Sequence, residues 1–323
     1  MKLQLLTPRC TSSKYPVPPQ APSTLGVEFS GVVEDGSTTG GQWHAGQEVF
    51  GLAYGGAYAE YIVLNKDMVL AKPAHLTHVQ AAGILECFIT ALQALSLVGG
   101  FKKGESVLIH AGAGGVGVAL NQVAKAFGAK HVFTTAGSGA KLAALDRLHF
   151  APTRGICYKD EDFAQVIKAE SKGGVDIIID FIGRDYFQRN LDSLRPSGRL
   201  VLLGFLSGAK IENASLAKVI YKRLEIKGST LRARDVAYQS SLMRLFESDC
   251  LPLFKPKGED GFEVLIHEEL PWTQIKDAHD RMAVRRRPRP ICNDELSLTA
   301  LLPPPPPPRA GQHQRRQVRL DDS

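Results

Sequence analysis

The rhythm of apolar and polar positions changes three times along the chain. Residues 25–72 hold short alternating apolar runs between glycine turns, as in GVEFSGVVEDG and GQEVFGLAYGGAYAEYIVL. That texture predicts a small antiparallel barrel. Near Ala81 the run AAGILECFITALQALSLV brings apolar residues to helical spacing. From Glu105 the runs ESVLIHA, KHVFTTA, VDIIIDFIG, GRLVLLGF and LEIKGST alternate with helix-length stretches such as VALNQVAKAFGA. Continuous Val/Ile/Leu runs between helices predict a parallel sheet buried on both faces. After Thr230 come one strand-like run, FEVLIHEEL, and one amphipathic helix, WTQIKDAHDRM. The ends differ in kind. Residues 1–24 are rich in Pro, Ser and Thr and read as an extended entry, and residues 283–323 run through RRRPRP and six consecutive prolines. That tail cannot bury a core, so disorder or polyproline II is expected there. There are no internal repeats. The fold class is α/β: a doubly wound parallel sheet of Rossmann type beside a small barrel.

Composition changes this picture little. The chain has 323 residues, 44% hydrophobic and 22% charged, which suits two soluble globular domains. Its net charge of +6 sits mostly in the tail, where eight Arg face four acids. A nucleic-acid partner through that tail ranks last, because the charge is modest and no aromatics interleave it. Five scattered Cys without a C-x-x-C spacing read as reduced thiols, and no apolar run reaches membrane-spanning length. The start, MKLQLLTPRCTSSK, carries basic and hydroxyl residues and no acid, a faint transit-peptide colouring. A short irregular terminus is the preferred reading, and the expected location is cytoplasmic.

The most informative stretch is ESVLIHAGAGGVGVALNQVAKAFGAKHVFTTAGS. A strand runs into Gly112, Gly114, Gly115 and Gly117, spaced G-x-G-x-x-G, and a helix begins at once. Missing Cβ atoms there permit a tight turn and bring backbone N–H groups close to a pyrophosphate. Sites for NAD place an acid about twenty residues on, at the end of the second strand. Here that end reads TTAGSGAKL, with no acid until Asp146. A carboxylate would repel a 2′-phosphate, whereas a hydroxyl, open amides and an ammonium receive one. NADPH is therefore favoured over NADH. Lys141 reads equally as a phosphate ligand or a solvated lysine.

The nine His and five Cys form no H-E-x-x-H and no paired cysteines, so a metal-free enzyme is expected. His110 ends a buried strand and reads as a hydrogen-bonded core histidine; Cys87 reads as a small buried apolar residue. Hydride transfer without metal needs a donor to the oxygen that becomes negative. Tyr15, in KYPVPPQAP, is a candidate donor or simply a packed aromatic.

These segments resemble the zinc-free quinone oxidoreductases of the medium-chain dehydrogenase/reductase superfamily, including the zeta-crystallin type, from about Lys14 to Met282. KYPVPPQAPSTLGVEFSGVV, LIHAGAGGVGVALNQVAKAFGA, TTAGSGAKL, YKDEDF, GGVDIIIDFIG and GSTLRARD carry the resemblance. TAGS, GGVDIIIDFIG and GSTLRARD look closest to the subgroup known in animals as a tumour-suppressor-inducible quinone reductase. Zinc-dependent relatives have a His before the Glu of the barrel strand; here Val27 precedes Glu28.

The resemblance implies NADPH in the cleft between a GroES-like β-barrel domain and the nucleotide-binding domain, usually in a homodimer. It divides the chain into a partial GroES-like domain (1–83), an NADPH-binding Rossmann domain (84–230), a return to the catalytic domain (231–282) and a disordered Arg/Pro-rich tail (283–323). It assigns the pyrophosphate to Ala113, Gly114, Gly115, Val116 and Gly117. Ser138, Lys141 and Tyr158 would hold the 2′-phosphate. Leu203, Gly204 and Phe205, with Ser229, Thr230 and Leu231, would flank the nicotinamide half. Tyr15 matches the tyrosine that faces nicotinamide and quinone.

Two departures stand out. Relatives begin with further barrel strands and an Asn-bearing loop, and they end on a Gly-Lys segment and a closing strand that AVRRRPRP and polyproline replace here. The expected function is NADPH-dependent reduction of a quinone. The alternatives are reduction of an enone or alkenal, or NADPH binding without turnover because the barrel is incomplete.

Overall fold

The computed structural model describes residues 17–35, 40–284 and 317–321. Its first domain contains β1 (Glu28–Asp35), β2 (Glu48–Leu52), β3 (Tyr61–Asn65) and β4 (Val69–Ala71). β1 pairs antiparallel with β2, and β2 with β4. Phe29, Val33, Trp43, Val49, Ala57 and Val69 form its own small core. Gly51 has to be glycine here, since a Cβ would stand 2.6 Å from Met68 O and 2.8 Å from the Phe29 ring.

A helical bridge then leads into the second domain. α1 (His78–Ala81) starts on a capping box, with Thr77 Oγ1 accepting from the Gln80 N–H and the Gln80 side chain reaching back to Thr77 N–H. α2 (Leu85–Leu92) is buried along nearly its whole length and runs on as a π-turn over Gln93–Val98.

The second domain alternates strand and helix: β5 (Ser106–Ile109), α3 (Gly115–Ala126), β6 (His131–Ala136), α4 (Gly139–Leu145), β7 (Arg154–Cys157), α5 (Phe163–Glu170), β8 (Val175–Asp180), α6 (Phe187–Ser193), β9 (Leu194–Leu202), α7 (Ala217–Tyr221) and β10 (Glu225–Gly228). The strands lie in the order β10–β9–β8–β5–β6–β7, every pair parallel. Strand order reverses between β5 and β8, the place where a crevice opens at the carboxyl ends. Ile177, Ile178 and Ile179 are wholly buried, as helices on both faces require. Each such side chain contributes about 1.5–3 kcal/mol of burial. β7 arises from TRGICY, a run too short and mixed to stand out in the sequence.

Two expectations need correcting. FEVLIHEEL is no strand, although Phe262 is buried and Val264 and Ile266 are half-buried in alternation. Phe262 N–H donates to Leu253 O (2.7 Å), and Glu263 is held by a side chain: its N–H donates to Gln122 Oε1 (2.8 Å), and Gln122 Nε2 donates to its O (3.1 Å). The amide of Gln122, buried on α3, takes the part of a neighbouring strand.

The second correction concerns the tail. After α8 (Val236–Asp249) and α9 (Ile275–Val284), residues 317–321 form β11 (Gln317–Asp321), where disorder was expected. β11 lies between β3 and β1 and pairs parallel with both, Val318 opposite Ile62 on one side and Val33 on the other. The physical reason is the slot itself. β1 and β3 are not bonded to each other, and an extended segment satisfies the backbone groups of both edges at once. The first sheet is therefore five-stranded and mixed, in the order β3–β11–β1–β2–β4, rather than purely antiparallel.

Candidate active site

The glycine loop is built as a close approach. Gly112 N–H donates to Thr135 O (2.8 Å) and Gly114 N–H to Ala111 O (2.9 Å), while Ala111 takes a left-handed φ of 51°. A Cβ on Gly112 would stand 1.6 Å from Thr134 Oγ1, and one on Gly117 2.4 Å from Ala111 O. α3 starts at Gly115 with Gly114 as N-cap and no capping side chain. Its first N–H groups are left open, with the positive end of the helix dipole behind them. Asn121 fixes the loop from behind, its Nδ2 donating to Gly112 O (3.1 Å).

Ser138 and Lys141 follow the end of β6, and Tyr158 follows the end of β7, its parallel neighbour. Ser138 is the N-cap of α4, yet its hydroxyl makes no capping bond. Lys141 is exposed on the first turn of α4. Tyr158 is bonded through its backbone to Ala136 O (3.1 Å), and its Oη would lie 2.6 Å from a Cβ on Gly137. The phenol therefore covers Gly137, and a larger residue there would have to displace it.

The other end of the crevice is formed after β8, β9 and β10. Leu203 N–H donates to Asp180 O (2.8 Å), Leu206 N–H to Phe181 O (2.9 Å), and Ser229 N–H to Leu202 O (3.1 Å). Gly204 has open space, with nothing nearer than Phe181 O at 3.5 Å from a Cβ. Phe205 is exposed and Leu231 buried. Gln93, from the π-turn, donates to Thr230 O (3.2 Å) and to Tyr238 Oη (3.0 Å). Two polar atoms here have no protein partner: Ser229 Oγ and Gln93 Oε1. Both are buried and unpaired. The open N–H groups at the start of α3 fit the pyrophosphate of a nicotinamide dinucleotide. Tyr15 lies outside the described residues.

Beneath the crevice runs a buried network that the sequence reading reached only in part. His110 Nδ1 meets Thr135 Oγ1 (3.1 Å), and His110 Nε2 meets Asn190 Oδ1 (2.7 Å). Asn190 Nδ2 donates to Asp180 Oδ2 (3.1 Å), and the Asp180 carboxylate also receives the N–H groups of Ile182 (2.7 Å) and Gly183 (3.2 Å). Burial pushes His110 down to about 4, so its ring is neutral, and pushes Asp180 up to about 6 against those three bonds. His110 is the hydrogen-bonded core histidine that was expected, and Cys87 is buried as expected. Asp180 and Gln93 were missed. Each was visible as a polar residue in a mostly apolar run, Asp180 at the end of VDIIID and Gln93 inside ITALQALSLV. Among the described residues, no three His, Cys, Asp or Glu side chains are grouped to hold a metal ion. Nor does any helix among them have the length and apolarity to cross a membrane.

Two family models match the chain: an alcohol dehydrogenase GroES-like domain over residues 7–74 and a zinc-binding dehydrogenase over residues 115–248. The chain belongs to the medium-chain dehydrogenase/reductase superfamily. Similar members of this superfamily include the Escherichia coli quinone oxidoreductase solved with NADPH, with a TM-score of 0.70 and 26% identity, covering 88% of this chain and 86% of that one. The CurK enoyl reductase gives a TM-score of 0.66 at 27% identity, covering 81% and 76%. A probable polyketide synthase 15 of Dictyostelium discoideum is 33% identical over 189 residues, 55% of this chain but 6% of that protein's length. The chain thus spans a small fraction of the polyketide synthases it matches.

Proposed function

We propose that this chain uses NADPH to reduce a quinone. One observation carries the reading: an uncapped glycine-loop helix follows β5, and Ser138, Lys141 and Tyr158 lie just beyond the neighbouring strands β6 and β7, where an NAD site would hold an acid. The likeness to the quinone oxidoreductase solved with NADPH supports it. NADPH supplies the hydride. The chain's own residues bind and orient. The α3 N-terminus and the amides of Ala113 to Gly117 take the pyrophosphate, and Ser138, Lys141 and Tyr158 take the 2′-phosphate. Leu203 to Phe205 and Ser229 to Leu231 confine the nicotinamide half. Tyr15 is the proposed donor to the substrate oxygen. No metal takes part in this reading, since Val27 stands where zinc-dependent relatives carry His.

Reduction of an enone C=C bond is the second reading, favoured by the likeness to enoyl reductases and polyketide synthases. It needs the same hydride geometry. A homodimer fits both readings, because Leu216, Ile220 and Tyr221 are exposed near the unpaired edge of β10. A cytoplasmic location accords with the scattered thiols. The deciding assay follows NADPH oxidation with 1,4-naphthoquinone, an ortho-quinone and a 2-alkenal, each repeated with NADH. Quinone-dependent oxidation of NADPH well above that of NADH is expected. Faster alkenal turnover selects the second reading, and binding without oxidation by any acceptor rejects both.

A further inference from the structure

Four side chains beneath the crevice form a single line of hydrogen bonds, and the backbone donors at its two ends fix its direction. At one end Ala111 N–H donates to Thr135 Oγ1 (3.3 Å). At the other, the N–H groups of Ile182 and Gly183 donate to the Asp180 carboxylate, which when ionised only accepts. Asn190 must therefore turn its Nδ2 to Asp180, which leaves Oδ1 for His110 Nε2, 2.7 Å away. Nε2 then carries the ring proton, and the bare Nδ1 accepts the hydroxyl proton of Thr135 (3.1 Å). Every bond runs the same way, from Ala111 through Thr135, His110 and Asn190 to Asp180. The four side chains of the line are wholly buried. A second proton on His110 would make Nδ1 a donor and leave the Thr135 hydroxyl without an acceptor, away from water. Phe163 and Tyr186 wall the ring edge-on, each at 4.7 Å. The Arg189 guanidinium lies over both of those rings, and its charge also opposes the second proton.

Both ends of the line support a wall of the crevice. Ala111 is held at a left-handed φ of 51°, which an alanine does not keep without support. Thr135 supports that turn twice, taking the Ala111 N–H on its hydroxyl and the Gly112 N–H on its carbonyl (2.8 Å). Gly114 N–H donates in turn to Ala111 O, and α3 begins at the next residue. At the far end Asp180 fixes the turn at Ile182 and Gly183 with its carboxylate, while its carbonyl takes Leu203 N–H (2.8 Å). Phe181 O takes Leu206 N–H (2.9 Å), so Leu203 to Phe205 are tied to the residues that close the line. We propose that Thr135, His110 and Asn190 are positioning residues for the cofactor, a one-directional hydrogen-bond line that locks the pyrophosphate loop and the nicotinamide wall to each other through the core. This inference rests on the NADPH reading above.

The first test reads the position of the ring proton by nitrogen NMR of the full chain with labelled histidines, at about pH 7, His110 being assigned by its loss in His110→Gln. A neutral ring with its proton on Nε2 is expected; a proton on Nδ1, or on both nitrogens, overturns the inference. Asp180→Asn should then reverse the line from a residue separated from His110 by Asn190. The new amide turns its N–H groups to Asn190, whose own amide flips and presents Nδ2 to His110. The ring proton is expected to move to Nδ1. A folded Asp180→Asn chain whose proton stays on Nε2 shows that the two ends are not coupled, and also overturns the inference. The second test reads the cofactor. Thr135→Val strips the partner from Ala111 N–H and His110 Nδ1 and should weaken NADPH about tenfold in a fluorescence titration. Thr135→Ser returns the hydroxyl and should restore the affinity, whereas full affinity in Thr135→Val removes the positioning role. Should Asp180→Asn or Thr135→Val fail to fold, the proton position in the unaltered chain and the surviving variant decide. If the unaltered chain binds no NADPH, the cofactor reading falls, and the two proton positions still decide whether the line exists.

Discussion

The two sheets of this molecule are assembled from the chain in opposite ways. The nucleotide-binding sheet takes its six strands from one unbroken stretch, Ser106 to Gly228, each strand followed closely by the helix that covers it. The first sheet has a smaller core and takes an internal strand from the far end, with Gln317–Asp321 lying between β1 and β3. One sheet closes on its own neighbours in sequence; the other depends on a segment that arrives last. Damage to the glycine loop should therefore abolish binding outright, whereas damage to β11 should weaken the first sheet and leave nucleotide binding in place.

The largest expected effect is at Gly117. A Gly117→Val side chain would drive its Cβ into Ala111 O, and NADPH affinity should drop by more than about a hundredfold, read by fluorescence titration. Retained affinity would mean that the loop does not hold the pyrophosphate. Next is β11. Val318→Pro takes an N–H from its ladder and should lower stability by about 3 kcal/mol, read by denaturant unfolding, while NADPH still binds. An unchanged midpoint would remove β11 from the sheet and erase the contrast.

The third effect is a pH dependence confined to the nucleotide-binding sheet. His110 has its pKa lowered from 6.5 to about 4, so its contribution to stability is full above 6.5 and is lost as pH falls through 6.5 toward 4. The loss amounts to about 3 kcal/mol at most. Asp180 opposes it over part of that range, since its pKa is raised from 3.8 to about 6 and its share declines as pH rises between those values. His110→Gln should flatten the acid-side loss in a melting series, and an unaltered acid slope would contradict the neutral buried ring. The smallest effect is selective: Lys141→Ala should weaken NADPH about tenfold and NADH little, and equal losses for both would break the 2′-phosphate assignment.

Much of the nucleotide-binding sheet was legible because its signals are local. Apolar runs such as VDIIID declare burial on both faces, and the glycine spacing names its own turn. Lys141 read from the residues alone as either a phosphate ligand or a solvated lysine, whereas Tyr158 entered only through resemblance, because it reaches Gly137 by strand pairing across β6 and β7. FEVLIHEEL has the period of a strand but meets the side chain of Gln122 in place of a strand partner, which no reading of period detects. QVRLD was lost inside an Arg- and Pro-rich tail, since what makes it a strand is a slot formed by residues near the other end of the chain. Asn190 escaped for the same reason. It is an ordinary polar residue until the fold buries it between His110 and Asp180.

The placement of β11 also sets an order of events during synthesis. Val32 waits for Gln317, and at ~5–20 residues per second that wait lasts from about a quarter of a minute to about a minute. By the end of that interval the nucleotide-binding sheet has had all its strands synthesised, while the edges of β1 and β3 remain without their shared neighbour. A nascent chain of this protein should therefore acquire its cofactor-binding half before its first sheet is complete, and its time of greatest exposure to chaperones is set by the arrival of β11.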